Sequence, residues 1–486
     1  MANIKQTVDL TQGTLSNLIV EDGKLKLPNV NAPTFTRSSI AYKSDGSQVA
    51  ANQPRFDVID GVMGLMVEEG TKNVINQTDL ADLHAWNPTN SRYNYAVQQA
   101  DGWWRVNRYH PTSRLSASEV LVDKTYTVAA GQTWTVSFYF RTDGTISFTI
   151  TFYTNNGHHP VTPTIIDLGN GIRKAIATYT FETGATYVRE INIKDVNNGT
   201  WTYIDIKFGQ LEQKPYATSF IDGTRAAETL TIPTAGVLNP SEGTIEVWVY
   251  VNDSIKQTAE NRYIFNAPAS TTGFISLYHK ASTNEFVLHI KNESGNESSV
   301  SISDNDVPNG WHKFTVRWTS SEASLILDDG TKSASVSNPY LPQSFSTNAT
   351  LGYSGTSGYI NTMIDEIRIS NKARSDDEIE NIYYSQRPMP VDEWTTYLLR
   401  FDDNLNYGQG GYYISPEYDV SSVNKAARGK VYWQEDADGI QRIVYAKLDN
   451  QADWTQVTNG GLLPISAGDV LTNRKLQLKV KMLKVI

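Results

Sequence analysis

The stretch GTIEVWVYV, Gly243 to Val251, sets Ile245, Val247 and Val249 against Thr244, Glu246 and Trp248 in strict alternation. Period-two alternation makes a strand with two differently used faces. Downstream, NEFVLHI (Asn284–Ile290), GWHKFTVRW (Gly310–Trp318) and ASLILDDG (Ala323–Gly330) repeat the pattern, cut by Gly, Asn and Asp. The run closes on a strand from Ile364 to Ile369 and a helical turn in GYINTMIDEIRISNKARSDDEIENIY. Ser375 stands three residues before Glu378, a capping box, and puts Ile379, Ile382 and Tyr383 on one apolar face. Evenly spaced short strands with one late helical turn predict an antiparallel sandwich.

These motifs, in this order and spacing, resemble a laminin-G-like jelly roll of the concanavalin A superfamily. The resemblance implies a curved two-sheet sandwich, often sugar-binding and in some members calcium-bearing. It does not imply catalysis, because a fold alone never does.

At 486 residues the chain has room for about three domains. Hydrophobic residues make up 39%, aromatic residues 11% and charged residues 19%, a composition of real cores and not of disorder or coiled coil. The net charge of −10 argues against a nucleic-acid partner, which requires a basic face. With no cysteine, disulfides and thiolate metal sites are excluded. MANIKQTVDL has neither the apolar core nor the cleavage site of a secretory signal, and no apolar run reaches the roughly 18 residues of a membrane span. The expectation is synthesis in a cytoplasm, no membrane insertion, and release by a route such as lysis.

Upstream, Met1 to Asn73 carries short alternating pieces among Asn, Pro and Ser, too thinly apolar for a core of its own. Arg37-Ser38, Asn52 to Phe56 (NQPRF) and Gly64 to Glu69 (GLMVEE) form an ordered set that resembles a leader of tailed-bacteriophage structural proteins. Residue by residue they also read as ordinary loops and turns. Residues 74–221 make a second all-β unit, in which TWTVSFYFRT and SFTITFYT flank a TDG turn at Gly144, a hairpin signal. Its close, FGQLEQKPYATSFI, resembles the end of a phage carbohydrate-binding-module-like jelly roll. The laminin-G-like unit takes residues 222–388, and QRPMPVDEW is the stiff linker to a small third unit, 391–486, which resembles a sandwich of phage tail proteins. The predicted class is therefore all-β, tandem antiparallel sandwiches with one short helix.

Glucanases of the concanavalin A superfamily alternate carboxylates on one strand so that acid and nucleophile flank a glycosidic bond. Here Asp365 and Glu366 are adjacent and so point to opposite faces. His158-His159 sits in a loop, and no nucleophile elbow, phosphate loop or zinc-protease motif is present. No enzyme is expected. The resemblance implies a calcium pair at Asp222 and Asp365, with two ordinary hydrogen-bonding aspartates as the plainer alternative. Sugar recognition needs flat aromatic faces, and Trp86, Trp103, Trp104, Tyr153, Trp201, Tyr353 and Tyr359 are the candidates, each of which would equally serve a core. Trp103 and Trp104 are neighbours, so one of them is expected to face outward.

The reading that follows is a virion component of a tailed phage, at tail tip, baseplate or fibre. Its partners would be other virion proteins and a host cell-surface glycan, with a homo-oligomer left open. A polysaccharide-degrading tail enzyme and a secreted bacterial adhesin are the alternatives. The leader is expected to dock on a neighbouring virion protein.

Overall fold

The structure is a computed structural model, and it describes the chain apart from residues 1–7, 11, 23, 76–95, 108–117, 123–124, 196–199, 270–271, 386–387, 403–404, 406, 421–428, 450, 468, 472–473 and 485–486. Antiparallel sheets dominate, as expected of tandem sandwiches. The helix Asp376–Ser385 starts on the capping box: the Ser375 amide donates to Glu378 at 2.9 Å and the Glu378 amide to the Ser375 hydroxyl at 3.3 Å. A single further turn, Asp253–Lys256, is capped by Asn252. No helix among the described residues is long and apolar enough to cross a membrane, which leaves β-barrels unaddressed.

The second sandwich is built around Gly243–Val251. Ile245, Val247, Val249 and Val251 enter a core shared with Phe265, Leu277, Leu288, Phe314, Leu325 and Ile367. One wall is a seven-stranded sheet in the order Glu297–Ser303, Glu285–Lys291, Phe274–Lys280, Arg262–Pro268, Asn348–Leu351, Thr229–Pro233, Thr34–Thr36. The other wall is part of a fourteen-stranded sheet, in which Gly243–Val251 lies between Gly310–Trp318 and Thr362–Ser370.

Parts of the leader pair within this chain. Thr34–Thr36 closes the edge of the seven-stranded sheet, and Val62–Val67 pairs with Thr362 to Ile364. Phe35, Phe56, Leu65 and Val67 are buried in the second core. A segment too poor in apolar residues to fold alone is stabilised by adding strands to an existing sandwich, and here the nearest one is its own. At the other end, Thr395–Leu399 takes the rest of the same strand edge, with Ile367 opposite Leu399, and buries Tyr397, Leu399 and Phe401 in the same core. The sheet then runs on through Tyr407–Ile414 and Lys475–Lys484 into the C-terminal unit.

In the first sandwich the expected hairpin at Gly144 does not form. Thr133–Thr142 belongs to a six-stranded sheet and Phe148–Thr154 to the facing five-stranded one. The chain crosses between sheets because both strands turn phenylalanines inward: Phe148 stacks on Phe138 at 6.1 Å and meets Phe140 edge-on at 5.5 Å. Gly144 is needed for close approach, since a Cβ there would lie 2.8 Å from the Trp201 amide nitrogen.

Leader and sandwiches meet in a buried ionic knot. Arg37 donates to Glu228 at 2.8 Å, Arg55 reaches both Glu228 and Glu68, and Arg225 lies 3.1 Å from Glu68. Burial alone would raise the Glu68 pKa, but Arg225 and Arg55 outweigh it and hold the carboxyl well below its usual range. Arg37, Asn52 to Phe56 and Gly64 to Glu69, the ordered phrases of the leader, are thus the parts of one assembled joint.

Candidate functional site

The two walls of the second sandwich differ in what covers them. On the fourteen-stranded sheet, the face opposite the core carries Glu246, Trp248, Asp365 and Arg368, all buried. The Asp376–Ser385 helix lies over it, with Tyr383 stacked on Trp248 at 5.8 Å and Lys313 donating to the Ile379 carbonyl at 2.7 Å. The linker completes the cover. The Met389 amide donates to Glu366 at 2.9 Å, Arg368 donates to the Pro390 carbonyl at 3.3 Å, and Arg374 makes a fork to Asp392 at 2.8 and 2.9 Å. The buried charges find partners here: Glu246 pairs with Arg368 and Lys313, and Asp392 with Arg374.

The outer face of the seven-stranded sheet is only partly accessible: Tyr263, Asn266, His289 and Tyr359 are half-buried, whereas Ser276, Tyr278, Thr350 and Tyr353 are buried. Its outward positions are Tyr263, Asn266, Ser276, Tyr278, His289 and Thr350, interleaved with the core residues Phe265, Ile275, Leu277, Leu288 and Leu351. The register sets Tyr263 opposite Tyr278, and their rings stack at 4.8 Å with 21° between planes. Beside them a loop carries Tyr353 and Tyr359, stacked at 5.3 Å and nearly parallel at 8°. The sheet holds that loop from below. Thr350 donates to the Tyr353 carbonyl at 2.6 Å, Asn266 to the Ser354 carbonyl at 2.9 Å, and Arg262 to the Tyr359 carbonyl at 3.0 Å. Gly358 lets it come close: a Cβ would sit 2.8 Å from the Tyr263 ring, at a φ of +64° that disfavours other residues.

Electrostatics on this face are mild. Burial raises the pKa of Tyr263, Tyr353 and Tyr359 and pushes Tyr278 up to about 12, so these phenols remain hydrogen-bond donors at neutral pH. His289 flanks them, 3.1 Å from Glu297 and edge-on to Phe274 at 4.9 Å, and Lys291 completes the rim at 2.7 Å from Glu297. Apolar ring faces beside amide, imidazole and hydroxyl groups suit a ligand with one apolar and one hydroxylated side.

The predicted aromatics separate. Tyr353 and Tyr359 come together as described. Trp201 is 2% exposed inside the first core and offers no ring face. Neither neighbouring tryptophan stands free: Trp103 is 6% exposed under the Arg141 guanidinium at 4.7 Å, and Trp104 packs against the core. The register explains this, because Trp104 is the first residue of the strand and Trp103 sits in the preceding turn, where cations of the facing strands cover it. Tyr153 is half-buried against His158 at 4.1 Å, far along the chain from the tyrosine face. Trp86 lies outside the described residues. Tyr263 and Tyr278 were not singled out in the sequence. Their signal is the strand register of RYIFNAP against FISLYHK, which sequence spacing alone does not provide.

The two aspartates of the implied calcium pair, Asp222 and Asp365, stand as follows. Asp222 is exposed in a turn near Tyr42, whereas Asp365 is buried across from Trp248 beneath the linker side of the sheet. No group of three or more His, Asp or Glu side chains that could hold a metal occurs among the described residues.

Among solved structures, tailspike protein 2 of Escherichia coli O157:H7 bacteriophage CAB120 is similar at 10% identity and a TM-score of 0.28, over 37% of this chain and 27% of that one. The botulinum neurotoxin serotype D binding domain is similar at 14% identity and a TM-score of 0.28, over 48% and 59%. The Ruminococcus gnavus IT-sialidase CBM40 bound to alpha2,3 sialyllactose is similar at 13% identity and a TM-score of 0.23, over 30% and 84%. The match spans between 27% and 60% of the length of the first such structures, and likeness at these scores carries no argument about function. No curated protein matches the chain. The family model that matches, over residues 225–380, is that of the concanavalin A-like lectin/glucanases superfamily, and the second sandwich has that fold.

Proposed function

We propose that the protein is a non-catalytic glycan-binding component of a tailed-phage particle that attaches it to a host surface. One observation carries the glycan part: of the two outer faces of the concanavalin A-like sandwich, one is covered by the chain's own helix and linker, and the other carries two stacked tyrosine pairs on a hydrogen-bonded mount, each with one half-buried member, Tyr263 and Tyr359. The particle part is supported by the leader phrases and by the acidic charge, which disfavours nucleic acid. Binding without hydrolysis is supported by the position of Glu246, Asp365 and Glu366 under the helix and linker and not beside the tyrosines; a bulge at Glu366, with φ at 41°, breaks the strict alternation that would set it opposite Asp365.

The test is a glycan array with the full chain, followed by titration of the best ligand against Tyr359→Ala and Tyr263→Ala. Both side chains are half-buried, and Tyr359 only flanks the second core, so the variants are expected to fold and to weaken binding at least tenfold. Unchanged affinity in both would remove the tyrosine face from the proposal. Release of reducing ends from the bound glycan would turn the reading to the tail-enzyme alternative.

A further inference from the structure

Where the first and second sandwiches meet, the two-stranded ribbon of Thr71–Lys72 and Thr224–Arg225 floors a groove of about 460 Å³, walled by Val74, Gln213 and Lys214. The ionic knot lies directly under it, since Arg225 belongs to both. The knot joins three guanidinium groups, Arg37, Arg55 and Arg225, to two carboxylates, Glu68 and Glu228, which leaves one positive charge over. Its next polar neighbours do not change the balance. Glu212 accepts from Thr218 at 2.6 Å, and Lys174 donates to the Thr218 carbonyl at 3.0 Å, one group of each sign.

Two details bear on the charge beneath and beside the groove. The Arg225 Nε is buried and has no hydrogen-bond partner among the described residues. At the rim, Lys214 is engaged by Glu69 at 2.7 Å, while Lys72 is exposed and enters no ion pair among the described residues. An uncompensated buried charge is expensive, and an anion arriving in a site partly shielded from water interacts more strongly than one in bulk solvent. The groove also adjoins the tyrosine loop. Tyr216 carries Lys214 over its ring at 5.7 Å and Arg262 at 4.9 Å, and Arg262 is the residue that holds the Tyr359 carbonyl.

We propose that this groove is a subsite for an anionic substituent, a carboxylate or a phosphate, carried by the glycan that the tyrosine face holds. The proposal rests on the glycan reading and narrows it to an acidic saccharide. Lys72 supplies the approaching charge and the knot beneath Arg225 supplies the fixed one. Binding therefore weakens as salt rises.

Isothermal titration of the full chain with trigalacturonate, with neutral galactotriose and with inorganic phosphate tests it, in the parent, Lys72→Glu, Lys72→Arg and Tyr359→Ala proteins. The expected result is trigalacturonate bound at least tenfold tighter than galactotriose, competed by phosphate, with the advantage lost in Lys72→Glu and kept in Lys72→Arg. Phosphate taken in preference to trigalacturonate would identify a phosphorylated glycan as the source. Equal affinities for the charged and neutral sugars, no uptake of any anion, or an advantage that survives Lys72→Glu each overturn the subsite. Anion binding that is sensitive to Lys72→Glu and untouched by Tyr359→Ala keeps the anion site and removes the glycan reading. Neutral-sugar binding lost in Tyr359→Ala without any charge preference does the reverse.

Discussion

Glu228→Gln is the sharpest single perturbation of this fold. Glu228 is fully buried and accepts from Arg37 at 2.8 Å, from Arg55 at 2.8 and 3.2 Å, and from the Glu68 amide at 3.1 Å. The amide keeps the volume and removes the charge, so three guanidinium groups then face one carboxylate. Breaking a buried ion pair from one side costs about 3–5 kcal/mol, because the partner stays behind uncompensated. For a folding unit of the size of the second sandwich each kcal/mol shifts the melting temperature by roughly 2–4 °C, which gives a drop of about 6–20 °C. Scanning calorimetry with urea titration at matched pH reads both quantities. Raising the salt in the parent protein is expected to leave its stability nearly unchanged, because a buried pair is little screened. The joint replacement Arg37→Met with Glu228→Leu is expected to recover most of the loss, since removing both partners of a buried pair is close to neutral. A Glu228→Gln protein within about 1 kcal/mol of the parent would refute the argument that leader and sandwich are held by this knot.

Further outcomes follow from other parts of the chain. Burial would raise the Asp392 pKa, but the Arg374 fork outweighs it and holds the carboxyl at about 2, below its ordinary value; the stability it contributes is present above the unfolded pKa and is lost as pH falls through about 2. Asp392→Asn should therefore flatten the melting temperature between pH 4 and pH 2, as read by circular dichroism. If Asp222 and Asp365 share a calcium ion, a chelator lowers the melting temperature and Asp365→Asn abolishes that sensitivity; an unchanged melting curve in the parent protein removes the pair. Truncation after Pro390 removes Tyr397, Leu399 and Phe401 from the second core and should prevent cooperative folding. Truncation after Asp402 keeps them and should spare it, so equal melting of the two would separate the C-terminal strand from that core.

What could be read in the sequence was what is local. The alternation of Gly243–Val251 and the Ser375–Glu378 box are patterns within one element, and both appear as expected. The turn at Gly144 shows the limit of such signals. A turn says that the chain reverses, but pairing within a sheet and crossing to the facing sheet use the same residues. The choice is made by the phenylalanines across the core. The knot was less legible still, because Arg37 and Glu228 are 191 residues apart and nothing near either announces the other. Its phrases could be noticed as an ordered set without their physical reason being visible. Tyr353 and Tyr359 were found because they are close in sequence, whereas Tyr263 and Tyr278 become a pair only through strand register.

The linker is where the composition argument and the structure part most instructively. QRPMPVDEW, with its two prolines, was expected to be a stiff spacer between self-sufficient units. Proline fixes the backbone and removes donors, but its carbonyl remains, and that of Pro390 accepts from Arg368 on the sheet below. Met389 is fully buried between that sheet and the C-terminal strand, and Asp392 neutralises Arg374. The segment is a cover and not a spacer. It is the reason that Glu246, Asp365 and Arg368 can be buried on a sheet face that would otherwise be wet. It also ties the C-terminal sheet to the concanavalin A-like sandwich as a continuous surface. This covered face argues that the glycan proposed above would use the tyrosine side of the sandwich, with the groove beside Lys72 as the adjoining place proposed for a charged substituent.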